Sequence, residues 1–61
     1  MNGKQVIKKL KESGWKVLRI EGSHHRMGNG SKRTTVPVHG NRDLGEGLIA
    51  AIERQTGVKL K

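Results

Sequence analysis

Asn29-Gly30 lies between two extended stretches, about His24 to Gly28 and about Lys32 to Val38. Both residues of the pair tolerate positive φ, so the pair predicts a two-residue hairpin turn. The flanking stretches must then run antiparallel. A chain of 61 residues makes a single domain, 1–61, and buries only about 60% of the surface its unfolded form exposes. Its core must be thin: one layer of helices against one sheet.

Local signals fill in the rest. Asn2 and Gln5 have capping-box spacing, which opens a helix. Val6, Ile7 and Leu10 fall on one face of that helix, with Lys4, Lys8, Lys11 and Glu12 outside. Ser13-Gly14 ends it, because glycine adopts the left-handed conformation that a helix terminus needs. Trp15 to Ile20 is rich in strand-favouring residues, but its alternation is imperfect and assigns no inward face. Pro37 cannot donate to a ladder, so the third strand ends there or lies at an edge. Gly40 to Arg42 form a loop. Asp43, with Glu46 three residues on, is predicted to cap a second helix whose apolar face is Leu44, Leu48, Ile49 and Ile52. Gly45 and Gly47 weaken that helix, which points to close backbone packing or to an open first turn near a ligand. Gly57 stops it, and Val58 and Leu60 pack back as a tail. The predicted class is α+β: helix, three antiparallel strands, helix, with both helices on one face of the sheet.

Thirteen lysines and arginines against five acids give a net charge of +8. That balance is the electrostatic signature of a nucleic-acid binder. No segment pairs a long apolar face with a basic one, so a membrane surface is not the expected partner. The longest apolar run, Leu48 to Ile52, is too short for a signal peptide or a membrane span. There are no cysteines, hence no disulfide. The expected location is the cytoplasm.

The chemistry centres on Gly22-Ser23-His24-His25-Arg26. Histidine exchanges protons near neutral pH without special tuning. Neighbouring side chains of a strand point to opposite faces. Met27 is apolar and belongs under the helices, and His25 shares its parity. His24 and Arg26 then share the open face. On the returning strand, Val36 and Val38 face inward, which leaves Arg33 and Thr35 on the open face. A bulge near Gly22 would invert this assignment. A patch of His24, Arg26 and Arg33 suits RNA cleavage, in which the ribose 2′-hydroxyl attacks its own phosphate and histidine supplies general acid or base. His39 is a candidate second proton-transfer group if the loop after the third strand brings it near. Ser23 and Lys32 join Arg26 and Arg33 as candidate RNA-binding residues. As a nucleophile Ser23 lacks an aspartate–histidine relay, and a turn hydrogen bond explains it better. The carboxylates are scattered, which argues against a two-metal nuclease. A zinc site from His24, His25 and His39 lacks a fourth ligand, and no metal or other cofactor is expected. Trp15 can be a base-stacking platform or core filling; in a chain with one aromatic, core filling fits better.

Several short motifs then line up in order: Gly14-Trp15, Gly22-Ser23-His24-His25, Thr35-Val36-Pro37, Asp43-Leu44, Gly47-Leu48 with Ile52, and Gln55-Thr56-Gly57-Val58. In this order and spacing the chain resembles the HicA toxins of toxin–antitoxin systems, small ribonucleases that cleave mRNA. Met27 stands where that family often has an aromatic residue, and Leu48 where it often has threonine. The resemblance implies a double-stranded-RNA-binding-domain-like fold and a catalytic histidine after Gly22-Ser23, which is His24. It also implies a HicB-type antitoxin bound over the active site. The competing reading is a module that binds RNA without cutting it, which the same fold would allow.

Overall fold

The computed structural model describes residues 1–61 and has the order helix, three strands, helix. Helix α1 spans Gly3–Glu12 and strands β1, β2 and β3 span Lys16–Glu21, His24–Asn29 and Lys32–Pro37. Helix α2 spans Glu46–Thr56. The strands form one antiparallel sheet in the order β1-β2-β3. The predicted α+β, double-stranded-RNA-binding-domain-like arrangement is the one observed.

The capping box of α1 is complete. The Asn2 side chain accepts from the Gln5 amide at 2.9 Å, and the Asn2 amide donates to Gln5 Oε1 at 2.8 Å. At the other end Gly14 takes φ +90°, and the Trp15 amide reaches back to the Leu10 carbonyl at 3.0 Å. This six-to-one bond is a helix-terminating motif that glycine permits. Trp15 thereby turns into the core and is buried there, as core filling requires.

Met27 of β2 and Val36 of β3 meet Val6, Ile7 and Leu10 of α1, Ile49 and Ile52 of α2, and Leu60 of the tail in one cluster. Thr34 is buried among them, and its hydroxyl donates to Gln55 Oε1 of α2 at 2.7 Å. Helix and sheet approach closely at Gly3, where an added Cβ would stand 2.3 Å from the Pro37 carbonyl oxygen. The other face of the sheet is covered by no helix or strand.

Three local expectations need correction. Asn29 pairs with Lys32, so the two residues of the hairpin turn are Gly30-Ser31 rather than Asn29-Gly30. Only Gly30 takes positive φ, at +60°, the pattern of a turn with glycine in its first central position. Asp43 does not cap α2. Its carboxylate lies 3.3 Å from the N-terminal ammonium, and the Leu44 amide donates to the Met1 carbonyl at 2.8 Å. A backbone bridge to Asn2 holds Asp43 in extended conformation outside the helix, which begins instead after Gly45 with no side-chain cap. Leu48 stands partly in solvent, so the buried face of α2 is Ile49, Ile52 and Thr56. A Cβ at Gly45 or Gly47 would meet nothing within 4 Å. Close packing is therefore not what those glycines serve.

Candidate active site

A two-residue turn, Gly22-Ser23, joins β1 to β2 and sets Glu21 directly opposite His24. Gly22 takes φ +59°, which the tight turn demands. The Ser23 carbonyl accepts from the Val38 amide at 2.7 Å. Ser23 itself is half-buried, in keeping with a turn role. The same bond carries the β2–β3 ladder one step past Pro37, so His39 leaves the sheet at the end where His24 stands.

The two neighbouring histidines are separated by the pleat. His24 is exposed, opposite Glu21 on one side and Pro37 on the other. His25 is half-buried, between Ile20 and Val36. Its Nδ1 is buried with no hydrogen-bond partner. No bulge interrupts β2, so the parity deduced from Met27 holds along the strand.

Arg26 is exposed on the open face two residues from His24. Its Nε donates to Glu21 Oε1 at 2.6 Å, while Arg19 Nη2 lies 3.4 Å from Glu21 Oε2. One carboxylate thus holds two guanidinium groups beside the histidine. A surface ion pair of this kind adds only about 0–1 kcal/mol of stability. It does limit where the arginines point, and the terminal nitrogens of Arg26 keep donors for another anion.

Arg33 shares the open face but sits further along it, opposite Gly28, and Lys32 opposes Asn29 at the far end of the hairpin. His24 and Arg26 are adjacent; Arg33 and Lys32 lie outside that immediate cluster. Arg33 is also folded down: its Nη1 donates to the carbonyls of Gly30 at 2.7 Å and Lys32 at 2.8 Å. Two residues that sequence reasoning missed, Glu21 and Arg19, join the site. The two-residue spacing of Gly22-Ser23 could have revealed Glu21. Arg19 was hidden by a bulge between Val17 and Arg19, which breaks the parity of β1. Across the open face Lys16, Arg19, Arg26 and Arg33 face a single acid, Glu21, so the surface is strongly positive. Nowhere do three His, Cys, Asp or Glu side chains come together to hold a metal ion. No helix is long and apolar enough to cross a membrane.

Residues 3–58 match the family described as HicA toxin of bacterial toxin-antitoxin. The chain belongs to the HicA toxin family. A HicA relative from Pseudomonas fluorescens (strain Pf0-1), named probable mRNA interferase HicA, is 38% identical over 50 residues. That alignment covers 82% of this chain and 83% of the relative. As a HicA toxin, the chain is one half of a toxin–antitoxin pair. Of the motifs that suggested the family, Gly22-Ser23-His24 lies at the turn onto the uncovered face.

Proposed function

We propose that this HicA toxin is an endoribonuclease that cleaves mRNA in the cytoplasm without a metal ion, with His24 as the general acid or base. The relative's name, mRNA interferase, supports the substrate and the reaction class. The observation that carries the residue assignment is the exposure of His24 on an uncovered, positive sheet face beside Arg26, while His25 turns under.

The reaction needs only what that face supplies. The 2′-hydroxyl oxygen of a ribose attacks the adjoining phosphorus as its proton leaves to a base. The bond from phosphorus to the 5′-oxygen of the next nucleotide breaks, and an acid protonates that oxygen. The products are a 2′,3′-cyclic phosphate and a free 5′-hydroxyl. His24 serves one of the two proton transfers, a contribution of about 10²–10⁴-fold in rate. His39, which leaves β3 at the same end of the sheet, is the candidate for the second. Arg26 stabilises charge developing on the non-bridging oxygens. Dispersed carboxylates support a route that needs no metal ion. A HicB-type antitoxin would silence the toxin by covering this face, and it would need acidic groups to match the positive charge.

The test is incubation of the pure protein and its His24→Ala variant with single-stranded RNA in the presence of chelator. The variant should leave RNA intact while still binding it. RNA with a 2′-deoxyribose at the cut site should resist the unaltered protein. Cleavage of that strand would rule out attack by the 2′-hydroxyl, and loss of activity with chelator would rule out the metal-free route.

A further inference from the structure

Proteins that hold single-stranded RNA commonly stack its bases on aromatic rings or arginine planes. Trp15, the chain's one Phe, Tyr or Trp, is buried in the core, so the only rings left on the surface are imidazoles, and the exposed ones, His24 and His39, lie at the end of the sheet given to proton transfer. The open face carries an alternative. The bulge in β1 delivers Leu18 to that face, where it remains 54% exposed. Below it lies Gly28, where an added Cβ would stand 2.6 Å from Leu18 Cδ1 and 3.0 Å from Arg33 Nη1. The missing side chain lets both groups lie flat against the strand. Arg33 is fixed there by its two bonds to the Gly30 and Lys32 carbonyls. Above them is an open hollow of about 300 Å³, also lined by Arg26 and Thr35.

An exposed leucine amid basic side chains gains nothing from a phosphate. It suits a flat, weakly polar ligand that also favours a guanidinium, which describes a nucleobase. Arg26 joins the hollow to the site, because it lies two strand residues from His24, about 7 Å along the chain. We infer that Leu18 and Arg33 form a nucleobase platform, which holds one unstacked base of the RNA near the phosphate that reacts at His24. This rests on the ribonuclease reading above.

The probe is a set of short single-stranded RNAs, each lacking the base at one position in turn. Their affinity is measured for the full chain carrying His24→Ala, which keeps the RNA intact. One abasic position should weaken binding roughly tenfold, the scale of a single base-stacking interaction. Adding Leu18→Ser should cost the same factor and should make the abasic position indifferent, since both changes remove the same interaction. Gly28→Ala should do likewise, because its Cβ displaces only the flexible ends of Leu18 and Arg33, and the circular dichroism spectrum should not change. Salt-dependent RNA binding in which no abasic position couples to Leu18 would overturn the platform and leave the ribonuclease reading standing. RNA that neither binds nor is cut by the unaltered protein would overturn both.

Discussion

The two faces of the sheet divide the labour of this small domain, and His24 and His25 mark the boundary. His25 looks toward the helices, among Ile20 and Val36, with a ring nitrogen left unpartnered. His24 looks into solvent beside a carboxylate and two arginines. Identical side chains in adjacent positions thus meet opposite surroundings because a strand alternates. The covered face must be apolar and tightly fitted, since a domain of this length has roughly 3–9 kcal/mol of stability to lose. The open face has no such obligation and can concentrate charge.

The sharpest way to break this comparison is to damage the covered face and look for an effect on the open one. Met27→Ala empties a fully buried site at the centre of β2. It should destabilise the fold by about 2–5 kcal/mol. In a domain this small that lowers the melting temperature by about 10 °C or more, and cleavage should be lost at a correspondingly lower temperature. Gly3→Ala should follow, at about 1–3 kcal/mol, because its Cβ would collide with the Pro37 backbone rather than with a movable side chain. Thermal denaturation reads both.

On the open face the expected effects on stability are small and those on function large. Arg26→Ala should change stability by less than about 1 kcal/mol. It should weaken RNA binding and reduce the slope of log affinity against log salt by about 0.7 for each phosphate that Arg26 neutralises. A salt slope unchanged by the substitution would remove Arg26 from the phosphate site.

The smallest effect lies at neither face. Glu53 Oε2 accepts from the Leu60 amide at 2.8 Å and the Lys61 amide at 3.4 Å, which holds the tail on α2. The Leu60 bond chiefly lowers the pKa of this carboxyl below its ordinary 4.5; burial opposes it, and the Lys61 amide and the Lys61 and Lys59 charges assist. A depressed folded pKa contributes stability above the unfolded value and loses it as pH falls through the folded one. Glu53→Gln should therefore slightly destabilise the protein at neutral pH, and the difference should shrink below about pH 4.5. Melting curves across that range check the sign.

How far the sequence foretold this arrangement varied with the kind of signal. The faces of β2 and β3 were legible because Met27 and Val36 anchor the parity on each strand. The first helix was legible because its capping box and Gly14 act within a few residues. Strand β1 was not, because Lys16 to Glu21 favours extended structure throughout and nothing local announces a bulge at Leu18. That one extra residue hid Arg19 from the site. The start of α2 was misplaced because Asp43 pairs through its backbone with Asn2, a neighbour that only the tertiary fold brings near. The hairpin turn slipped by one residue because both registers use Gly30 and only strand pairing chooses between them.

The measurement that tests the division of faces most directly is the cleavage rate of His24→Ala against that of His25→Leu, with melting temperatures for both. Removing His24 should lower cleavage by about 10²–10⁴-fold with the fold intact. His25→Leu fills the same half-buried place without an unpartnered nitrogen, so the fold and most of the activity should survive. A His25→Leu protein that is folded and inactive, beside a His24→Ala protein that still cuts RNA, would contradict the account.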